Sequence, residues 1–312
     1  MSAHPRDTHA TTEHRAPVTA PSLAAMKADR APIVMITAYD FPSARTAGAA
    51  GVDVVLVGDS AANVVLGYDS TVPVGMDEML MLTKAVRRGL DGPLLVGDMP
   101  FGSYEASNEL AVLNAQRFVK EAGVGAVKLE RGGASVDRAR AIVRAGIPVM
   151  GHVGLTPQAV ASLGGFKAQG KSAGSAAQIA EEALALQAAG CFSIVFEAIP
   201  ADVCAVLMAS MEIPVIGIGA GGATDGQVLV FHDLVGIGDG RAPKFVRRFA
   251  DTQAAMSAGV EAYASAVRAR SFPGPEHSYA IDPMELDDFR RYLDQETLAG
   301  EDADASFTGW LG

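Results

Sequence analysis

The sequence predicts an α/β protein that folds as one (β/α)8 (TIM) barrel, and three observations support this fold class. Short apolar runs rich in Val and Ile alternate with Ala-rich helical stretches, as in a parallel sheet whose strands are joined by crossover helices. Eight such runs occur, which favours a closed barrel over an open doubly wound sheet, the remaining alternative. The 312 residues, 49% of them apolar, suffice for a barrel of about 250 residues with one large core.

The predicted strands and helices follow in chain order. The apolar runs predict strands at residues 33–39, 54–59, 94–99, 126–130, 148–153, 192–197, 215–219 and 234–237. Helices are predicted at residues 77–88, 107–121, 135–145 and 176–189, with a last helix from about 245 to 270. Glycines stand where a helix needs a left-handed residue to end it, at Gly89, Gly123, Gly146 and Gly190.

The barrel is expected to be the only domain, at residues 22–279, between two extensions. Residues 1–21 mix His, Thr, Pro and Arg without an apolar pattern, which predicts a disordered arm. Residues 280–312 predict an acidic, helical extension. From Asp282 to Asp304 the chain carries nine Asp or Glu against two Arg, a net charge of −7 out of −11 for the whole chain.

Charge and cysteine content exclude several classes of protein. A net charge of −11 and a pI near 5.0 argue against a nucleic-acid partner, because phosphate binding needs clustered Lys and Arg. No apolar run is long enough for a membrane span, and the first residues do not resemble a signal peptide. The two cysteines, Cys191 and Cys204, form no CxxC pair. We therefore expect a cytoplasmic protein.

Polar side chains stand at the ends of five predicted strands, where the apolar pattern should continue. Because the active sites of such barrels lie at the carboxyl ends of the strands, these side chains are candidates for one site. Any one of them alone could be a helix cap or a structural polar group, but the set as a whole indicates a site. The candidates are Asp59, Ser60, Asp98, Lys128, Glu130, His152 and Glu197.

The residue types suggest metal-assisted chemistry on a carbonyl compound. Asp59, Asp98 and Glu130 offer hard carboxylate oxygens, which suit Mg²⁺. Lys128 precedes Glu130 by two residues, so both face the barrel mouth, where the lysine can hold a carboxylate or an enolate oxygen. A Schiff-base lysine is the alternative, although neighbouring carboxylates would keep it protonated. Glu197, on another strand, is free to act as a general base.

Several segments follow one another from about residue 22 to 279: MITAYDFPSA, VVLVGDSAANVVLGYDST, LLVGDMPFGSY, VKLE, GHVGLTPQ, GGFKAQGK, GIGAGGATDGQVLVFHD and FPGPEHSY. Together, in this order, they closely resemble the ketopantoate hydroxymethyltransferases of pantothenate biosynthesis. The resemblance implies a (β/α)8 fold, Mg²⁺, and transfer of a hydroxymethyl group from 5,10-methylenetetrahydrofolate to 3-methyl-2-oxobutanoate. It also implies a homo-oligomer, commonly a decamer. One departure is Tyr68, where relatives often carry a His, so a role tied to that imidazole is in doubt.

The resemblance also implies a role for each candidate. Asp59 and Asp98 would bind the metal and lie against the oxo acid, with Glu130 completing the metal's surroundings. Ser60, Lys128 and His152 would hold the oxo acid, and Glu197 would be the base.

Two further motifs need an interpretation. Residues 217–222 read GIGAGG and match G-x-G-x-x-G, but they follow the seventh strand, so we reject a dinucleotide site. Residues 164–171 read GGFKAQGK and suggest a mobile lid whose lysines could meet the glutamates of a folate tail; an ordinary exposed basic loop is the alternative.

Two alternative functions remain at this stage. A metal-dependent 2-oxo-acid lyase or mutase of the phosphoenolpyruvate mutase and isocitrate lyase type would need a nucleophilic cysteine in a loop such as KKCGH, which neither cysteine provides. A catalytically silent scaffold would be favoured by replacement of Asp59, Asp98 or Glu197, and all three are present.

Overall fold

The computed structural model describes residues 16–159, 165, 167–238 and 243–301, with the backbone alone for residues 296–301. Most of the predicted N-terminal arm and the end of the acidic extension therefore lie outside the described residues. So do two residues of the predicted lid, Gly164 and Phe166.

Eight parallel strands form a closed barrel in the order β1 to β8, with β8 paired to β1. This confirms the predicted fold class. The strands are β1 (Ile33–Thr37), β2 (Val54–Val57), β3 (Leu94–Asp98), β4 (Ala126–Lys128), β5 (Val149–Gly154), β6 (Ser193–Glu197), β7 (Val215–Ile218) and β8 (Gly226–Leu229).

The predicted position of the eighth strand was wrong. Residues 234–237 do not form a strand, because residues 231–235 are helical and Gly236 ends that helix with a φ of 70°. The actual strand β8 begins with Gly226 and Gln227, which carry no apolar signal. A Cβ atom on Gly226 would lie 2.4 Å from the carbonyl oxygen of Ile33, so closure of the barrel on β1 requires glycine there. Because glycine has no side chain, a search for runs of apolar side chains does not detect this strand.

Helices connect most of the strands. They are α1 (Ala20–Ala28), α2 (Phe41–Ala49), α3 (Ala61–Val64), α4 (Met76–Gly89), α5 (Asn108–Ala122), α6 (Ala134–Arg144), α7 (Ala173–Ala188), α8 (Ala201–Met208), α9 (Phe231–Val235), α10 (Thr252–Arg268) and α11 (Pro283–Glu301). Short 3-10 helices lie at Pro157–Ala159 and Pro275–His277.

Local sequence signals account for the ends of several helices. The hydroxyl of Ser107 accepts the backbone N–H of Leu110 at the start of α5, and Gly123 ends α5 in the left-handed conformation with a φ of 67°. Gly89 is different from the prediction, because it is the last residue of α4 and the extended Leu90 follows it as the C-cap. The chain bends at residues 92–93 before β3, and the left-handed residue of this connection is Gly92, with a φ of 96°.

The last predicted helix starts later than expected. Helix α10 begins at Thr252, whereas the sequence suggested a start near Phe245. The preceding segment is held by backbone hydrogen bonds instead, from Val246 N–H to the carbonyl of Pro243 and from Phe249 N–H to the carbonyl of Leu234. These bonds place the segment against α9 and prevent it from joining α10.

The strands bury both of their faces. Inward-facing side chains such as Val54, Leu56 and Val96 fill the barrel, while Val55 and Val57 on alternate positions pack with the helices. At the amino-terminal end of the strands, Val18 N–H donates to the carbonyl of Gly92. The charged site described below lies at the opposite end of the barrel, where the strands finish.

The chain divides into two compact units after Gln253. The first unit contains the complete barrel, and helix α1 starts at Ala20, close to the predicted end of the arm. The second unit contains most of α10 and all of α11, so the predicted extension at 280–312 falls within it. In the described ranges, no helix is long and apolar enough to cross a membrane.

Candidate active site

One cavity of about 910 Å³ opens at the carboxyl ends of the strands and collects every candidate residue. Strands β2 to β6 each contribute, either from their last residues or from the residues just after them. The seven predicted side chains that line the cavity are Asp59, Ser60, Asp98, Lys128, Glu130, His152 and Glu197. The strand-end argument therefore located residues that lie together.

A buried ion pair joins β3 to β4. Asp98 and Lys128 are the last residues of their strands and are direct partners in the register of the sheet. The Nζ atom of Lys128 lies 2.7 Å from Oδ1 and 2.9 Å from Oδ2 of Asp98. It also lies 3.5 Å from Oε1 of Glu130, which confirms that Lys128 and Glu130 point to the same face. Parallel register thus places this lysine against two carboxylates.

His152 connects the carboxylates of two other strands. Its Nδ1 atom lies 3.1 Å from Oε1 of Glu130, and its Nε2 atom lies 3.2 Å from Oε2 of Glu197. The Nε2 contact is an ion pair without an assigned hydrogen bond. The imidazole therefore stands between Glu130, deep in the site, and the more accessible Glu197.

The carboxylates determine the protonation of the two cationic side chains. Burial opposes the charge of Lys128, but Asp98, Glu130 and Asp59 outweigh it and raise the pKa of Lys128 above its usual value. Burial likewise opposes the charge of His152, and Glu130 chiefly raises its pKa to about 9. Both groups are therefore charged at neutral pH, and Lys128 is not the neutral amine that a Schiff base needs.

Asp59 is less well compensated than the other acids. Its pKa is raised well above the usual value, first by burial and then by the charges of Asp98 and Glu130. The backbone N–H of Asp59 donates to Oδ2 of Asp98 at 3.1 Å, so the two residues are in direct contact. Four carboxyl groups in this cluster (Asp59, Asp98, Glu130 and Glu197) face two cationic groups, a formal excess of two negative charges.

That excess and the donor type fit a divalent cation with hard-oxygen preference. Within the described part of the chain, no group of three or more His, Cys, Asp or Glu side chains is arranged as a ready metal cage. Magnesium commonly binds through only one or two carboxylates and keeps several waters. Asp59 and Asp98 therefore suit such an ion without a third preformed ligand.

Ser60 follows Asp59 directly and sits at the start of α3. Its hydroxyl lies 2.8 Å from the hydroxyl of Tyr39, a buried residue just after β1. Burial raises the pKa of Tyr39, so it stays a neutral hydrogen-bonding group. Tyr39 was at the end of a predicted strand, yet the search for ionisable strand ends passed over it.

Sequence reasoning also missed Gln158 and Tyr104. Gln158 Nε2 donates to Oδ2 of Asp59 at 3.1 Å, and the hydroxyl of Tyr104 donates to Oε1 of Gln158 at 2.6 Å. Gln158 is the last residue of the segment GHVGLTPQ and follows the fifth strand. Its side chain is neutral, so a search for ionisable residues at strand ends did not select it.

The glycine segment after β7 leads into β8 without an intervening helix. A dinucleotide fingerprint has a helix after the glycines, and this segment has none. Gly219 has a φ of 65°, and a Cβ atom on it would lie 2.6 Å from the ring of Phe245. Gly219 and Gly221 both line the large cavity, next to Phe245.

Two exposed lysines stand at the edge of the same cavity. Lys167 comes from the predicted lid, and Lys244 comes from the segment before α10. Lys171, from the same predicted lid, is also exposed but does not line the cavity. Tyr68 does not line it either, because its hydroxyl donates to Oε1 of Glu78 at 2.9 Å.

A closed barrel with buried carboxylates, a lysine and a histidine at its strand ends defines a (β/α)8-barrel enzyme with an acidic active site. The family model described as ketopantoate hydroxymethyltransferase matches residues 17–275. The chain therefore belongs to the ketopantoate hydroxymethyltransferase family.

Named relatives agree along most of their length. The 3-methyl-2-oxobutanoate hydroxymethyltransferase of Heliobacterium modesticaldum is 52% identical over 265 residues, covering 85% of this chain and 96% of the relative. The enzyme of the same name from Moorella thermoacetica is 53% identical, covering 85% and 98%. A mitochondrial form from Arabidopsis thaliana is 51% identical, covering 83% of this chain and 76% of the relative.

Solved structures support the fold. A phosphonopyruvate hydrolase complex with oxalate and Mg²⁺ superposes with a TM-score of 0.56 at 13% identity, covering 90% of this chain and 98% of that one. A 2,3-dimethylmalate lyase of the phosphoenolpyruvate mutase/isocitrate lyase superfamily gives 0.53 at 18% identity, covering 91% and 98%. At this identity the likeness extends to the fold alone.

Proposed function

We propose that this chain transfers a hydroxymethyl group from 5,10-methylenetetrahydrofolate to 3-methyl-2-oxobutanoate, giving 2-dehydropantoate (ketopantoate). The observation that carries the proposal is the arrangement of Glu197, His152, Glu130, Lys128 and Asp98. It unites a carboxylate at the open side of the cavity with a buried, charge-rich interior. Family membership supplies the reaction, and this arrangement supplies groups able to perform it.

Asp59 and Asp98 would hold a Mg²⁺ ion, and Glu130 would complete its surroundings. Such an ion would supply positive charge near the keto oxygen and thereby make the C3–H of the oxo acid more acidic. Support for this role comes from the raised pKa of Asp59 and from the two excess negative charges of the cluster.

The oxo acid is bound by Lys128, Ser60 and His152. The charged Nζ of Lys128 attracts the substrate carboxylate, and the Ser60 hydroxyl donates a hydrogen bond while Tyr39 supports it. An oxo acid placed against these groups lies beside Glu197, which lines the same cavity. Such a placement would direct the C3 proton towards the carboxylate of Glu197.

Glu197 takes the proton from C3, and the electron pair left on C3 forms the new carbon–carbon bond to the one-carbon unit of the folate. Both bonds from that unit to the folate nitrogens N5 and N10 break, and one water supplies the hydroxyl group. The proton taken from C3 and the remaining proton of the water end on the two nitrogens of the tetrahydrofolate that leaves. The positive charge of His152, 3.2 Å from Oε2 of Glu197, holds this carboxylate in place.

The cavity also has room for the larger co-substrate. About 910 Å³ is near the upper end of the volume of small-molecule sites, far more than a five-carbon acid needs. Lys167 and Lys244 at its edge suit the carboxylates of a folate glutamate tail.

An alternative of the phosphoenolpyruvate mutase and isocitrate lyase type is less well supported. The nucleophilic cysteine of that class has no counterpart at this site, because Cys191 and Cys204 are buried and neither is among the residues lining the cavity. The shared barrel accounts for the structural likeness without a shared reaction.

Association of several copies is also part of the proposal. Helix α10 leaves four apolar side chains exposed at helical spacing, Met256, Val260, Tyr263 and Val267. Contiguous exposed apolar surface is typical of an interface between subunits. Light scattering with size-exclusion chromatography would give the number of copies.

The function is tested by measuring ketopantoate formed from 3-methyl-2-oxobutanoate and methylenetetrahydrofolate with Mg²⁺. We expect activity that EDTA abolishes and excess Mg²⁺ restores. Absence of product would overturn the proposed reaction, whereas product formed at an undiminished rate under full chelation would overturn only the role of the metal.

A further inference from the structure

Gln158 is buried beside the active site without belonging to its wall. It is 5% exposed and lies in the 3-10 helix that follows β5. It is not among the residues lining the 910 Å³ cavity, but it lines a separate cavity of about 310 Å³ on its other side. Any effect of Gln158 on the reaction must therefore pass through the residues that it contacts.

Those contacts include two carboxylates of the site. The backbone N–H of Gln158 donates to Oε2 of Glu130 at 3.1 Å, and its Nε2 donates to Oδ2 of Asp59 at 3.1 Å. Nε2 also donates to the carbonyl oxygen of Met99 at 3.0 Å. One residue thus holds acids that come from the ends of two different strands.

The direction of these hydrogen bonds is fixed by backbone groups. The N–H of Glu130 donates to the hydroxyl oxygen of Tyr104 at 3.3 Å, so the Tyr104 proton is left to donate to Oε1 of Gln158 at 2.6 Å. The carbonyl of Met99 can only accept, so it requires the amide nitrogen at the opposite side of Gln158. The amide cannot turn over without breaking bonds at both ends, and its N–H₂ group stays directed at Asp59.

We propose that Gln158 is a positioning residue that sets the orientation of the Asp59 and Glu130 carboxylates for cation and substrate binding, with Tyr104 fixing its amide. The inference rests on the proposed function, in which these acids surround a divalent ion. A carboxylate with one oxygen held by a rigid donor loses little rotational freedom when it binds a cation, so the bound geometry is prepared in advance.

The decisive variant is Gln158→Met, which keeps the length of the side chain and the backbone N–H but removes the side-chain amide, both its oxygen and its N–H₂ group. We expect Mg²⁺ affinity, measured by titration calorimetry, to fall about ten- to a hundred-fold. This is the loss typically seen when a hydrogen-bond partner of a metal ligand is removed. The apparent KM for 3-methyl-2-oxobutanoate at fixed Mg²⁺ should rise, and saturating Mg²⁺ should recover most of kcat.

Tyr104→Phe provides a second variant that removes a single hydroxyl. The amide of Gln158 then loses one of its two restraints, and we expect a smaller loss of Mg²⁺ affinity, about five-fold. Gln187→Met is the matched control, because Oε1 of Gln187 accepts the N–H of Glu212 at 2.8 Å outside the site. It should lower thermal stability without changing Mg²⁺ affinity.

The outcomes separate this inference from the proposed function. Wild-type activity together with unchanged Mg²⁺ affinity in folded Gln158→Met would refute the positioning role and leave the reaction standing. If Gln158→Met does not fold, unchanged affinity in Tyr104→Phe refutes it instead. A wild-type protein that neither binds Mg²⁺ nor forms ketopantoate would remove the proposed function, and the positioning role with it.

Discussion

The ammonium group of Lys128 lies 2.7 and 2.9 Å from the two carboxylate oxygens of Asp98, and both side chains are almost completely buried. The sheet register produces this contact, because the two residues are direct partners at the ends of β3 and β4. A buried pair of this kind contributes little net stability, but removal of one partner leaves an uncompensated charge. Lys128 is therefore the counter-ion of Asp98, and in the proposed function it also binds the substrate carboxylate.

Replacement of Lys128 by Met should separate these two roles. We expect a loss of about 3–5 kcal/mol in the free energy of unfolding without metal, because Asp98 becomes a buried charge without its partner. Metal affinity should not fall, since a positive charge that competes for Asp98 is removed. The KM for the oxo acid should rise strongly. Chemical unfolding, calorimetry and steady-state kinetics measure the three effects.

Lys84→Met is the control for this variant. Lys84 also pairs with a carboxylate, Glu121 Oε2 at 2.9 Å, but both side chains are exposed, so its loss should cost no more than about 1 kcal/mol. If Lys128→Met binds the oxo acid as tightly as the wild type, Lys128 is only structural.

The active-site candidates could be predicted because barrel geometry is strict. In a parallel barrel every strand ends at the same rim, so ionisable residues at strand ends, such as Asp98 and Glu197, must converge. The two-residue spacing of Lys128 and Glu130 was equally informative, because strand periodicity puts both on one face. Convergence of five strands was therefore contained in the sequence pattern.

The position of strand β8 and the contacts of Gln158 could not be predicted from the strand-end pattern. Strand β8 was misplaced because barrel closure selects glycine at Gly226, which a search for apolar runs cannot recognise. Gln158 was missed because its importance comes from contacts with Asp59 and Glu130, distant in sequence and formed only in the fold. Neutral residues that orient charged ones leave no local signal.

Glu197→Gln should retain the oxo acid and lose the chemistry. We expect the exchange of the substrate C3 proton with solvent, followed by NMR in deuterium oxide, to slow by about 10²- to 10⁴-fold, the usual contribution of a general base. Binding of the oxo acid should change little, because Lys128 and Ser60 remain. The exposed Glu109 provides a control, since Glu109→Gln should exchange normally. Undiminished exchange in Glu197→Gln would assign the base to another residue.

Lys167→Ala and Lys244→Ala should affect the folate more than the oxo acid. Each exposed ion contact is worth about 0.2–1 kcal/mol, so the KM for a polyglutamylated folate should rise at most about five-fold per lysine. The effect should shrink in high salt and with a monoglutamyl folate. Lys171→Ala, in the same segment but outside the cavity wall, should behave as wild type. Equal effects of all three variants would indicate general surface charge instead of a tail site.

The two cysteine thiols should be unreactive towards thiol reagents in the native protein. Cys191 and Cys204 are 2% and 0% exposed, and burial raises the pKa of the Cys191 thiol to about 12. Because the thiolate is the reactive form, a thiol reagent at pH 8 should label neither cysteine until denaturant is added. Rapid labelling of the native protein would contradict this burial.

The same shift fixes the sign of a stability change. The folded-state pKa of Cys191 lies above the unfolded value of about 8.5, so only the unfolded chain ionises between these values. The resulting stability is complete below pH 8.5 and is lost as pH rises towards 12. Between pH 7.5 and 9.5 the wild type should lose about 1.4 kcal/mol more than Cys191→Ala, whose cavity cost does not depend on pH. Urea unfolding of both proteins at the two pH values measures the difference, and parallel pH dependence would show that the buried thiol does not carry the effect.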